Sequence, residues 1–253
     1  MKLNRKYIIL IPMFFIVLNL FNKYDGISQD LENINSRFFV NNHILGTDEL
    51  GRDILARLVQ GSLNTLIICI SICFIIFIMG IILGYFMGIS NKIDKILMVI
   101  IQFIMSIPSL ILTIFILVFI GNSMFLLIFS LSINRSLRMA IIVRNEVKKL
   151  NAQNFILISK MMGASSFHVL KKHILPNIID IVLFRISFMI PGIIFSETFL
   201  SFMGIGVRLP KATLGNMLSS GFNALLINPT QFILVSVFIV LITLFFGGLN
   251  ENT

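Results

Sequence analysis

The stretch from Thr65 to Ile89 reads TLIICISICFIIFIMGIILGYFMGI and contains no charged side chain. At a rise of about 1.5 Å per residue, a helix of this length measures about 37 Å, which exceeds the hydrocarbon core of a bilayer, about 30 Å thick. The run is continuous and lacks the alternation of apolar and polar residues that a membrane β-barrel needs. We therefore interpret it as a membrane-spanning helix.

The whole chain shares this character. Of its 253 residues, 57% are hydrophobic and 12% are charged, and the mean hydropathy is +0.98. A soluble domain is about 25% charged, so this composition excludes an ordinary cytosolic enzyme, a disordered chain and a disulfide scaffold. Cys69 and Cys73 lie within the apolar run. We interpret both as small buried hydrophobic residues and not as a disulfide or a metal-binding pair.

The hydrophobic segments predict an all-α membrane protein with about six transmembrane helices. The predicted spans are Tyr7–Phe21, Thr65–Ile89, Ile96–Ile120, Met124–Val143, Ile178–Phe202 and Thr230–Leu249. Tyr7–Phe21 is short enough to be a signal-peptide core, but we favour a retained anchor. The resulting domains are an N-terminal anchor (1–22), an extracytoplasmic segment (23–64) and a transmembrane domain (65–249).

Within the spans, prolines and glycines predict local geometry. Pro108 and Pro191 are expected to kink their helices, because proline removes a backbone hydrogen bond. Gly80, Gly84 and Gly88 recur every fourth residue, a spacing that favours close packing against a neighbouring helix.

The net charge of +9 is best explained by topology. With both termini inside, 11 of the 20 Lys and Arg residues fall in the 45 residues of the inside segments 1–6, 90–95 and 144–176. The opposite orientation would violate the positive-inside rule. The excess positive charge therefore needs no nucleic acid as partner. The three histidines are scattered, and we predict no bound metal.

The inside segment Arg144–Pro176 is long for a connector and has its own internal order. Asn154–Met162 is expected to form a short helix that ends at Gly163. Ser165 or Ser166 would cap a second helix from Phe167 to Ile174, and Pro176 would interrupt the chain before the next span. Two short helices at a bend fit either a docking element or an amphipathic element on the membrane surface.

Three blocks of the sequence carry a resemblance to a known family. Gly163-Ala-Ser165 followed by His173-Ile-Leu-Pro176-Asn177 is similar to the EAA loop in the inner-membrane permeases of ABC importers. His43-Ile-Leu-Gly46-Thr47-Asp48-Glu-Leu-Gly51-Arg52-Asp53, with Arg57, resembles a block of the dipeptide, oligopeptide and nickel permeases. Glu197-Thr-Phe-Leu-Ser201-Phe-Met-Gly204-Ile-Gly206 resembles another block of the same group.

The resemblance implies a transport subunit with the type I importer fold and no ATPase site of its own. The partners it implies are a second homologous permease, two cytoplasmic ATPase subunits, an extracytoplasmic binding protein and the lipid bilayer. ATP and Mg²⁺ would be used by the ATPase subunits, and this chain would bind no cofactor. Gly46 and Gly51 have the glycine spacing of a phosphate loop, but the Lys and Ser/Thr of that motif are missing.

The resemblance also assigns roles to residues. Those implied in coupling to the ATPase are Asn154, Phe155, Leu157, Ile158, Ser159, Gly163, Ala164, Ser165, His173 and Pro176. The extracytoplasmic block comprises Gly46, Thr47, Asp48, Gly51, Arg52, Asp53 and Arg57. It would form either a salt-bridged collar, with Asp53 and Arg57 paired one helical turn apart, or a docking surface for the binding protein. Candidates for the gate or pore are Glu197, Ser201, Gly204 and Gly206.

The expected cargo is a short peptide, with nickel or a nickel chelate as the alternative. The sequence departs from the family at Leu157, where the EAA glutamate is expected, and in its short C-terminal tail. These departures keep open a third possibility, a membrane interaction protein that has lost transport.

Overall fold

The computed structural model describes residues 24–37, 39–40 and 43–248. Every regular element within these ranges is helical, as the sequence predicts, and the only β-pairings among them are isolated bridges. The predicted anchor Tyr7–Phe21 and the last residue of the predicted final span, Leu249, lie outside the described residues.

The described residues form nine α-helices, numbered in chain order. They are α1 (Ile54–Ile89), α2 (Asn91–Met105), α3 (Ser109–Phe119), α4 (Met124–Asn151), α5 (Asn154–Met161), α6 (Ser166–Val169), α7 (Leu175–Phe202), α8 (Leu214–Asn223) and α9 (Thr230–Gly248). Residues Leu170–Ile174 form a π-helical turn between α6 and α7. One of these helices, α8, lies in a stretch for which the sequence predicts no helix.

Four of the described helices are long and apolar enough to cross a membrane, and a fifth span exists if α2 and α3 count as one. The four are α1, α4, α9 and the continuous helix Ser166–Phe202. The multi-pass interpretation is thereby supported. The helix α1 begins at Ile54, well before the predicted Thr65. Its start is fixed by Asp53, whose carboxylate accepts a hydrogen bond from the backbone N–H of Ala56 at 2.7 Å.

The prediction of one kinked helix over Ile96–Ile120 was wrong, because the structure has two separate helices there. The chain leaves α2 after Met105, and α3 starts at Ser109 with its axis turned by 83°. Pro108 lies directly before α3, where its carbonyl accepts the first helical hydrogen bond, from Leu112 at 3.1 Å. Proline restricts the residue before it to extended backbone, so the helix ends there instead of bending.

The predicted interruption at Pro176 was also wrong. The second loop helix starts at Ser166, one residue earlier than expected, and continues through the π-helical turn into α7 without a break. In that turn the Leu175 N–H donates to the carbonyl of Leu170, five residues back. The wider turn leaves room for the ring of Pro176 beside the preceding carbonyls, which a regular α-helix would not. The helix is likewise continuous through Pro191.

The predicted loop from Arg144 is helical for its first two turns, because α4 extends to Asn151. The described residues fall into two compact units. Among the described residues, one unit consists of residues up to Ile70, Ile116–Leu127 and the residues from Ile190 onwards, and the other of Ser71–Phe115 and Ile128–Met189.

In the second unit, three glycines of α1 form a tight contact with α4. A Cβ at Gly80 would strike Met139, and one at Gly88 would strike Val147. At Gly84 the obstacle includes backbone, because a Cβ would lie 2.6 Å from the carbonyl oxygen of Ala140. The prediction that this glycine row packs closely against another helix is confirmed, and that helix belongs to the same chain.

Candidate coupling and transport sites

The charged residues of the extracytoplasmic block lie in the interior of the first unit. The side chain of Asp48 is fully buried, and its carboxylate accepts hydrogen bonds from the backbone N–H of Arg52 at 2.9 Å and from the Arg52 Nε at 2.8 Å. The Nε of Arg57, only 1% exposed, lies 3.4 Å from the same carboxylate. The expected pair of Asp53 and Arg57 is replaced by this triad, because Asp53 caps α1 and binds a histidine.

That histidine is His43, which is buried between two carboxylates. Its Nδ1 lies 2.8 Å from Asp53, and its Nε2 lies 3.6 Å from Asp30. The ring of Tyr24 stacks on it with a centroid separation of 4.5 Å. Hydrogen bonds from Asn33 and Glu32, together with His43, lower the pKa of Asp30 despite partial desolvation.

Glycines shape the loop around this cluster. Gly46 and Gly51 adopt φ values of +75° and +73°, and each passes directly against a neighbouring backbone, at Ser36 and Asp30 respectively. The glycine spacing that resembles a phosphate loop is therefore explained by two tight turns. The hydroxyl of Thr47 is also used internally, because it accepts a hydrogen bond from the backbone N–H of Ser36 at 3.0 Å.

A second buried polar cluster in the first unit surrounds Glu197, which is 1% exposed. Ser201 donates a hydrogen bond to its carboxylate at 2.8 Å, and Thr65 of α1 donates another at 3.3 Å. The Thr65 hydroxyl in turn accepts from the backbone N–H of Leu214, at the start of α8. The cluster thus joins α1, α7 and α8.

Of the remaining gate candidates, Gly206 is buried directly against Ser201, whereas Gly204 is exposed with a φ of +76°. In this chain, three of the four candidates are therefore interior residues.

The coupling segment comprises α5, the bend at Gly163 and the start of the next helix. It belongs to the second unit, and its Ile156 is fully buried. Other apolar side chains of the segment are exposed: Met161, at the end of α5, and Met162, directly after it, reach 88% and 83%. Gly163 has a φ of +84°, which favours glycine, and ends α5 as predicted. Ser165 caps the next helix by accepting a hydrogen bond from the backbone N–H of His168.

The two arms of the segment, α5 before Gly163 and the start of the helix after it, enclose an open cavity on the surface. The ring of Phe155 lies 5.9 Å from that of His173, measured between centroids, and His168 lies 6.3 Å from His173. The cavity is lined by Phe155, Ile158, Ser159, Met162, Gly163, Ala164, Ser165, His168, Lys172 and His173. The structure therefore brings together most of the predicted coupling residues. Asn154 begins α5 and Leu157 lies on its exposed side, whereas Pro176 lies farther along, in the first turn of α7.

Two contacts were missed in the sequence, one to this segment and one to the helix α4 that precedes it. Tyr85 of α1 donates a hydrogen bond to the carbonyl of Ser166 at 2.8 Å. Asp94 of α2 binds both Arg144 and Lys148 at the end of α4. Asp94 is the only carboxylate between Asp53 and Glu146, and this isolation in an apolar region was the available signal.

Comparison with known proteins decides the family. Residues 76–252 match the family model described as binding-protein-dependent transport system inner membrane component. The chain belongs to this family. Its helical permease fold also agrees with the inward-facing MetNI methionine ABC transporter, with a TM-score of 0.61 at 20% identity over 77% of this chain and 93% of that one.

Relatives within the family share more sequence. The chain is 34% identical to the oligopeptide transport system permease protein OppC of Bacillus subtilis, over 91% of this chain and 78% of the relative. It is 33% identical to the dipeptide transport system permease protein DppC of the same organism, over 73% of this chain and 58% of the relative. The Escherichia coli OppC is 31% identical over 80% of this chain and 67% of its own length.

Proposed function

We propose that this chain is a permease subunit of an ATP-driven importer that carries short peptides across the inner membrane of a bacterium. The observation that carries the proposal is the 34% identity to an oligopeptide permease over nine-tenths of the chain. The relatives described above are named for oligopeptides and dipeptides, which favours peptides over nickel.

The working assembly that we propose contains a second homologous permease, two ATPase subunits and an extracytoplasmic binding protein. The coupling segment would dock on an ATPase subunit, where ATP and Mg²⁺ are bound and used. Its exposed apolar side chains support this role, because large apolar groups on an aqueous surface mark protein contacts. The distribution of Lys and Arg supports cytoplasmic termini.

In this proposal the extracytoplasmic block is structural, and so is the polar cluster around Glu197. The side chains of Asp48, Arg52 and Arg57 are buried in one network, which supports the collar over a docking surface. Glu197 and Ser201 would support an outer gate by holding α1, α7 and α8 together.

Uptake of a labelled dipeptide by a deletion strain that carries the gene on a plasmid tests this function. We expect the strain to import the peptide, and nickel uptake to be unchanged between deletion and complemented strains. The variant Gly163→Val should abolish uptake, because valine is strained at a φ of +84° and the bend between the two arms would be lost. Gly192→Val is the matched control, since Gly192 has open space and lies within a helix.

Restoration of nickel uptake alone would contradict the peptide assignment. A chain that retains no ATPase subunit on purification, with uptake insensitive to Gly163→Val, would instead support a membrane protein that has lost transport.

A further inference from the structure

When α4 and the helix Ser166–Phe202 cross the bilayer along its normal, their lengths place the coupling segment beyond the membrane surface. The apolar part of α4 ends at Val143, and the helix continues for eight residues to Asn151, or about 12 Å. The return helix runs from Ser166 for twelve residues before its apolar part begins at Ile178, or about 18 Å. The headgroup layer is roughly 5 to 8 Å thick on each side. The exposed face of α5 therefore projects into water.

This projecting face combines apolar and basic groups. On α5, Phe155, Leu157, Ile158 and Met161 are between 45% and 88% exposed. Beyond the bend, Phe167 is 71% exposed, and a shallow surface next to it is lined by Ser165, His168, Lys171 and Lys172. Lys172 also lines the cavity between the two arms, together with His168 and His173.

No carboxylate offsets these cations locally. Between Glu146 and Asp180 the sequence contains five lysines and two histidines but no Asp or Glu. One of the lysines, Lys148, is already bound to Asp94. The position where the resemblance leads one to expect a glutamate is Leu157, which is 47% exposed. The charged groups that this segment offers a partner are therefore all positive, and they lie beside exposed apolar side chains.

From this surface we infer that the chain docks into a groove that is both apolar and acidic, on the cytoplasmic ATPase subunit. Carboxylates of the groove would bind Lys171 and Lys172, and apolar side chains would cover Met161 and Met162, whose flexible thioethers adapt to irregular surfaces. This inference rests on the proposed function and adds the chemistry that selects the partner. An ATPase whose groove carries a cation, suited to a permease with glutamate at this position, would bind this chain poorly. Its cation would face Leu157 and the lysines instead of a carboxylate.

Two substitutions at Leu157 distinguish an acidic groove from a basic one, because the difference in retained ATPase between them has the opposite sign in the two cases. Leu157→Glu and Leu157→Gln remove the same apolar contact and differ only in charge. With an acidic groove, the affinity-tagged chain should retain about tenfold less ATPase subunit with Glu than with Gln, a difference of about 1.4 kcal/mol. More ATPase retained with Glu than with Gln would mean a basic groove and would overturn the inference.

A charge reversal tests the lysines independently. The double variant Lys171→Glu and Lys172→Glu should lose most of its bound ATPase at about 0.1 M salt, where charges act over about 10 Å. Lys92→Glu with Lys95→Glu is the matched control, because both lysines are exposed and belong to the other inside segment. Equal retention by the two double variants would overturn the inference while leaving the proposed function intact. A wild-type chain that retains no ATPase would overturn both.

A membrane-bound coupling segment would give a third result. Met161→Cys, in a chain with Cys69→Ala and Cys73→Ala, should react with a water-soluble thiol reagent when the ATPase is absent and become protected when it is bound. Protection by lipid alone, in vesicles of the purified chain without ATPase, would show that the face lies on the bilayer and would overturn the inference.

Discussion

The close contact between α1 and α4 makes Gly84 the most sensitive position of the glycine row. The nearest backbone atom to a Cβ there is the carbonyl oxygen of Ala140, at 2.6 Å, whereas an ordinary contact begins at 3.4 Å. Gly84→Ala therefore forces the two helices about 0.8 Å apart at this point, the difference between those distances. A gap of this size forfeits a quarter to a half of each dispersion contact along the row.

We expect Gly84→Ala to destabilise the chain by about 2 kcal/mol, within the range of overpacked interiors. In a chain of this size that loss lowers the midpoint of thermal unfolding by about 5 °C. The chain has no tryptophan, so the assay uses a thiol-reactive fluorescent dye in a Cys73→Ala background, where the dye detects the exposure of Cys69, which is buried in α1.

Gly192→Ala supplies the control, because a Cβ at Gly192 in α7 meets nothing within 4 Å. Alanine is preferred to glycine in a helix by about 0.5 to 1 kcal/mol, so this variant should unfold at the same temperature as the wild type or slightly above it. Equal midpoints for the two alanine variants would show that the helices yield at Gly84 without cost, and the reasoning from close packing would fail.

Three further predictions concern charged and polar contacts. Asp94→Asn removes the carboxylate that binds Arg144 and Lys148, and it should lower the free energy of unfolding by about 1 to 3 kcal/mol. Asp180→Asn, at an exposed site, should change the free energy of unfolding by less than about 0.5 kcal/mol, and thermal unfolding of the two variants compares these effects. Asp48→Asn leaves buried arginines without their counter-charge and should lower stability by about 3 to 5 kcal/mol, which would be seen as rapid proteolysis of the segment that precedes α1. Equal resistance of this variant and of Glu49→Gln would contradict the buried network. Tyr85→Phe removes one hydrogen bond, of about 1 kcal/mol, to the coupling segment. This variant should import fewer peptide molecules per ATP hydrolysed while retaining the same amount of bound ATPase. An unchanged ratio of peptide to ATP would show that this contact does not position the segment.

Hydrophobic patterning predicted four of the described membrane helices because it depends only on local sequence, and the runs beginning at Met124 and Thr230 start in the structure where the sequence places them. Proline was less informative about where helices end. The helix α2 ends before Pro108, whereas α7 continues through Pro191, and a π-helical turn accommodates Pro176. The outcome depends on whether the surrounding backbone can widen or be capped, which a single sequence position does not specify.

The polar contacts were harder to predict because they join distant parts of the chain. A helical repeat pairs Asp53 with Arg57, but the fold turns Asp53 towards His43 and gives Arg57 to Asp48. Tyr85 donates its hydrogen bond to a backbone carbonyl of the coupling segment. Every residue has such a carbonyl, so the sequence does not indicate which one is the partner. By contrast, the bend at Gly163 was predictable, since glycine commonly ends a helix with a positive φ.

The sharp turn between α2 and α3 has a consequence for solvation. Each helix alone is shorter than a bilayer is thick, about 22 Å for α2 and about 16 Å for α3. If the pair crosses the membrane, the first amide groups of α3 lie within it without helical partners. Hydrocarbon offers such groups nothing, and each would cost several kcal/mol there. The surface that carries Ser106 and Pro108, both exposed, must then face water or other protein and not lipid, because only water or protein can supply hydrogen-bond partners to these few amides.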